Sequence, residues 1–120
     1  MRANRIFSSL LFVIGIAALA MGGPACAGDM AAAKQNYESF CVLCHGETRK
    51  GDGPAGAAAK ARDFTDCAAM SKISDDTMFN VIKNGGAAAG LSNAMQAWGS
   101  GFDDTEIHDL VAYVRAFCKK

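Results

Sequence analysis

The sequence predicts an all-α domain of three to five helices that packs around more than its own side chains. Three observations carry this reading. Apolar residues recur at three- and four-residue spacing, with almost none of the period-two alternation of a half-buried strand. Gly-rich stretches separate the candidate helices and supply their stops. The chain is rich in Ala, with only 7 Phe, 2 Tyr and 1 Trp, so its own core is thin and benefits from a cofactor or a cross-link. At 120 residues there is room for one domain. Twelve basic side chains balance 12 acidic ones, which leaves no excess to hold a polyanion and argues against nucleic-acid binding.

The first element is a leader. Arg2 and Arg5 precede an uncharged stretch, residues 6–28, with an apolar centre at Leu10, Leu11, Phe12, Val13 and Ile14. Ala25-Cys26-Ala27 offers small residues for cleavage, so residues 1–27 read as a signal peptide and 28–120 as the exported domain. An uncleaved anchor and a lipid-modified Cys26 are the alternatives, though Gly23-Pro24-Ala25 lacks the Leu of a lipobox. Cleavage leaves no membrane span and predicts a periplasmic monomer.

The helices follow in order. The first starts at Asp29 as N-cap and carries Met30, Ala33, Tyr37, Phe40 and Cys41 on one face. A middle helix starts at Ser74, has Asp75 and Asp76 in its first turn, faces Met78, Val81 and Ile82 inward, and stops at Gly85-Gly86. The last has Asp103 as cap and Glu106 closing a capping box, with Ile107, Leu110, Val111, Val114 and Phe117 as its buried stripe.

The first helix delivers Cys41-Val42-Leu43-Cys44-His45, the Cys-x-x-Cys-His signature of covalent haem attachment. On a helix, residues three apart share a face, so both thiols can reach the two vinyl groups on one porphyrin edge. His45 falls on that face and can present a neutral imidazole nitrogen to iron. A thioredoxin-like dithiol needs a sheet that this pattern lacks. A zinc site lacks a second pair of ligands at close spacing, and a structural disulfide across two residues would be strained. One covalent haem c is the cofactor predicted here.

Gly51-Asp52-Gly53-Pro54-Ala55-Gly56 matches the Gly-x-Gly-x-x-Gly phosphate pattern, but no strand precedes it and Pro54 lacks an amide donor. Its glycines suit close approach to a flat ligand instead.

These motifs, with Asp63-Phe64-Thr65, Met95-Gln96-Ala97-Trp98-Gly99 and Asp109-Leu110-Val111-Ala112-Tyr113-Val114-Arg115, resemble the class I cytochrome c family, most of all its small bacterial exported single-haem members. The resemblance spans nearly the whole domain. It implies an all-α fold around haem, an electron-carrying role, thioethers at Cys41 and Cys44, His45 as proximal ligand and a late-loop Met as distal ligand. It also implies that Ala33 and Tyr37 cross the last helix at Leu110 and Tyr113, and that the Pro54 carbonyl steadies the proximal imidazole. The family's Pro after the distal Met is here Gln96.

The residues themselves also narrow the distal ligand. Met78 belongs to a helical stripe and Met30 opens a helix, which leaves Met95, Met70 and His108, or an open site. Met95 follows the turn-forming Ser92-Asn93 and is the first choice, while His108 falls on the solvent side of its helix. Trp98 reads either as a core residue or as one that packs against the haem, where its indole N–H has polar work available.

Two classes of function follow. An electron carrier has both axial positions filled and meets its redox partners through a weak, transient interface. A haem enzyme or gas sensor needs an open or labile sixth position, and no distal acid–base pair marks one. A haem subunit of a larger redox complex is a third reading. Gly85-Gly86-Ala87-Ala88-Ala89-Gly90 reads either as a small uncharged docking patch or as a flexible linker. Cys67 and Cys118 are the thiols the haem motif does not use, and in an oxidising compartment they can pair or remain buried and free.

Overall fold

The computed structural model describes residues 28–119, and every regular element among them is helical. The predicted leader, with Cys26, lies outside the described residues. Helix α1 (Met30–Asn36) begins where Asp29 accepts from the Ala32 amide at 2.9 Å. It continues through a π-helical turn, Tyr37–Cys41, into α2 (Val42–His45). A π turn inserts extra backbone and shifts the helical phase. Ala33 and Tyr37 are buried, but Met30 is 40% and Phe40 48% exposed, so the predicted stripe is broken at those two positions.

Two short helices, α3 (Gly56–Ala59) and α4 (Cys67–Met70), occupy what reads in the sequence as one long loop. Asp66 caps α4 by accepting from the Ala69 amide at 3.0 Å. Helix α5 (Asp75–Asn84) has Ser74 as its cap and ends at Gly85, whose φ of +85° suits glycine. A 3₁₀ turn, Ala87–Ala89, follows. Helix α6 (Asp104–Ala116) carries the expected capping box, with Asp103 and Glu106 each accepting from the other's amide at 2.9 Å.

The two faces of α6 organise the core. One meets α1, where Ala33, Tyr37, Ile107, Leu110 and Tyr113 form a buried cluster with Phe102, and the Tyr37 and Tyr113 rings lie 5.6 Å apart. The crossing implied by resemblance is therefore present. The buried Tyr37 hydroxyl donates to the Gly46 carbonyl at 3.0 Å, which satisfies it. The other face, Val111 and Val114, packs with Met70 and Met78.

Arg115 ties this second cluster to α6. Its guanidinium donates to the Asp75 carboxylate at 2.6 Å, to the Met70 carbonyl at 2.7 Å and to the Ile73 carbonyl. Beside it, Cys67 and Cys118 come together with Cα atoms 5.4 Å apart, inside the span of a disulfide. Among the described residues no helix is long and apolar enough to cross a membrane.

Candidate functional site

A cavity of 1150 Å³ opens between the end of α2, α5, α6 and the loop after α5. Met78, Val81, Ile82, Val111 and Val114 give it apolar walls, while Cys44, His45 and Met95 bring the reactive groups. Folded interiors hold few voids larger than a water molecule, so an apolar space of this size in a small domain fits an occupant. Cys41 and Cys44 are not bonded to each other. Cys44 lines the cavity, whereas Cys41 is half-buried against the α1–α6 cluster. Burial, with the neighbouring Cys44 adding to it, pushes the Cys41 thiol up to about 11, so it is protonated at neutral pH.

The loop after α2 finishes the motif helix. Amides of Gly51, Gly53 and Ala55 donate to the carbonyls of His45, Cys44 and Leu43 at 2.9, 3.1 and 2.9 Å, capping the helix end. A Cβ on Gly53 would strike the Val42 and Leu43 carbonyls, and one on Gly56 those of Gly51 and Cys44. Gly53 and Gly56 of the Gly-x-Gly-x-x-Gly pattern are thus required for close approach to the end of α2, and Gly51 for close approach to Ala61.

His45 is held from two directions. Its Nδ1 lies 3.2 Å from the Arg62 carbonyl, and its ring stacks on Phe64 with centroids 4.3 Å apart and planes 16° from parallel. Donation from Nδ1–H leaves Nε2 with a free lone pair. Burial holds the imidazole below its ordinary value, which the bond to Arg62 partly offsets, so the ring is neutral near pH 7. The expected acceptor, Pro54, does not have this role. It is exposed, its neighbours Gly53 and Ala55 are committed to capping α2, and the chain returns over the imidazole only after α3.

Met95 sits on a loop fastened by main-chain bonds. The Met95 carbonyl accepts from the Gly86 amide at 2.8 Å, its amide donates to Ser92 at 3.2 Å, and the amides of Trp98 and Gly99 donate to Ile82 and Lys83 at 2.9 Å each. These bonds hold the loop without the Pro that Gln96 replaces. Met70 and Met78 also line the cavity, but they are 2% and 8% exposed and packed in the second cluster. His108 stacks on Phe79 at 4.5 Å, outside the cavity. Trp98 packs against the α1–α6 cluster. Its ring lies 5.4 Å from Phe40 and 5.7 Å from Phe102 in an aromatic group and is not among the cavity-lining residues.

Sequence reasoning missed two contributors: the Arg62 carbonyl and Phe64. A backbone acceptor carries no side-chain signature, but the Asp63-Phe64-Thr65 motif does mark the segment.

An all-helical shell with a Cys-x-x-Cys-His segment and a half-buried neutral imidazole at an apolar cavity defines a c-type cytochrome. Comparison with known proteins agrees. Residues 28–114 match the family model described as cytochrome c oxidase, cbb3-type, subunit III. Cytochrome c6 of Rippkaea orientalis is 30% identical over 113 residues, covering 94% of this chain and 93% of its own. The solved structure of KustC0563 c-type cytochrome superposes with a TM-score of 0.59 at 28% identity, over 73% of this chain and 98% of that one. The chain belongs to this cytochrome c family, as a small class I c-type cytochrome that carries electrons on covalent haem.

Proposed function

We propose that the domain is an exported, periplasmic, single-haem electron carrier with Cys41 and Cys44 in thioether linkage, His45 as proximal ligand and Met95 as distal ligand. The observation that carries this reading is the joint presence of His45, with Nδ1 already committed, and the Met95 loop at one apolar cavity. When bound, haem supplies a one-electron couple, and a thioether opposite an imidazole favours the reduced state. The chain's own residues hold the ligands, keep the imidazole neutral and surround the site with apolar side chains. Cys67 and Cys118 are proposed to be bonded, which their adjacency supports.

The test combines three measurements on the mature protein. A pyridine haemochrome assay counts the haem and reads its covalent links. The oxidised protein is expected to show the weak near-infrared sulfur-to-iron band, and Met95→Ala to lose it while keeping the haem. Retention of the band in that variant transfers the role to Met70. Rapid stoichiometric binding of carbon monoxide to the reduced protein overturns the carrier reading in favour of an open-site enzyme or sensor. The partners of a carrier dock weakly near the Gly85–Gly90 region, where Ala87, Ala88 and Gly90 are exposed while Gly85 and Gly86 are buried. A second reading, a haem subunit of a larger redox complex, is favoured by the oxidase-subunit description of the matching family and is read by co-purification from native membranes.

A further inference from the structure

We propose that Phe64 is the positioning residue of the proximal ligand: its ring, stacked on His45, fixes the imidazole plane. This rests on the reading of His45 as an iron ligand. The hydrogen bond from Nδ1 to the Arg62 carbonyl fixes one edge of the ring but leaves it free to swing about that bond. A flat aromatic contact removes the swing. The Phe64 ring supplies it, with centroids 4.3 Å apart and planes 16° from parallel.

Phe64 can do this because it is itself held. Its amide donates to the Arg49 carbonyl at 2.8 Å, so the backbone on the far side of the ring is tied to the loop that caps α2. Its ring packs 6.5 Å from that of Phe117, and Phe117 packs edge-on at 4.9 Å against Tyr113 in the α1–α6 cluster. The Arg49 guanidinium covers the Phe117 ring at 4.3 Å. A row of aromatic rings therefore runs from the helix crossing to the imidazole, Tyr113 to Phe117 to Phe64 to His45. Both constraints on His45, the Arg62 carbonyl and the Phe64 ring, come from one short segment, so the imidazole is oriented as that segment is oriented. With haem bound, the orientation of the His45 imidazole would bear on how unpaired spin is distributed over the haem of the oxidised protein, which the haem-methyl resonances report.

The experiment uses the haem-loaded mature protein. In the reduced, diamagnetic form, nuclear Overhauser contacts are expected between the Phe64 ring protons and the His45 side chain. In the oxidised form, Phe64→Leu is expected to change the order or the spread of the shifted haem-methyl resonances, and Phe64→Tyr, which keeps a flat ring, to retain the wild-type pattern. A wild-type pattern in Phe64→Leu overturns the proposal, as does the absence of the Phe64–His45 contact in the unaltered protein. The second result stands even where the Leu variant fails to retain haem. Failure of the functional reading is separate, because it appears as the loss of the c-type haem spectrum from the wild type itself.

Discussion

The two walls that carry the candidate ligands are built by different means. On the His45 side, the candidate ligand stands at the end of a helix whose last carbonyls are capped, its ring is gripped by the Arg62 carbonyl and the Phe64 ring, and the segment bearing both runs on to Cys67, beside Cys118 on the C-terminal side of α6. On the Met95 side, the ligand rides on a loop held by main-chain amides reaching the end of α5 and by the close contact of Gly86 with Ser92 and Met95. Side-chain packing resists displacement in all directions, whereas a loop held mainly by main-chain bonds opens locally at lower cost. By this comparison the His45 wall is the more firmly held of the two.

Four changes break or sharpen that contrast. The largest concerns the proposed Cys67–Cys118 bond, which closes a separation of 51 residues. Replacing both by Ser is expected to remove about 4 kcal/mol on the chain-entropy estimate, measured by denaturant unfolding of the holoprotein. Its spectroscopic effect is expected at the proximal ligand and not in the sulfur-to-iron band. Next, Gly56→Ala drives a Cβ into the Gly51 and Cys44 carbonyls on the proximal side. Overpacking against backbone costs on the order of 3 kcal/mol, and the yield of haem-loaded protein is expected to fall with it. On the distal side, Gly86→Ala meets the Ser92 carbonyl and the Met95 Cβ. A loss of about 2 kcal/mol, within the same overpacking range, is expected, together with a shifted or lost sulfur-to-iron band. Equal spectroscopic damage from Gly56→Ala and Gly86→Ala would erase the distinction between the walls. Smallest is Asp103→Ala, which unmakes the capping box of α6 away from both walls. It is expected to cost about 1 kcal/mol and leave every haem signal unchanged.

Local chemistry was the part most legible in the sequence. Ser74, Asp103 and Glu106 announce their helices because a cap acts within three residues of itself, and all three act as expected. Cys44 and His45 were equally plain, since the attachment motif is a spacing on one helix. What failed depended on where distant backbone returns. The acceptor for His45 is a carbonyl of Arg62 and not of Pro54, because the glycine loop caps α2 before the chain comes back. Phe40 and Trp98 meet at the edge of the α1–α6 cluster, where both pack on Phe102, a pairing that no periodicity encodes. The π turn at Tyr37–Cys41 was invisible for a related reason: one inserted residue changes which face is covered without leaving a mark in composition.

The crossing of α1 and α6 has a consequence for how the chain is made. The residues that meet there lie far apart in sequence, and the Asp29 amide donates to the Asp109 carboxylate across 80 positions. A chain emerging from the ribosome cannot form that cluster until its last helix is out, because Ile107, Leu110 and Tyr113 supply half of it. Until then the Cys-x-x-Cys-His segment has no core to fold against, and the nascent chain stays open to threading and to chemistry at its cysteines. Closing so long a loop comes last, and loss of the final helix would leave the first with no partner.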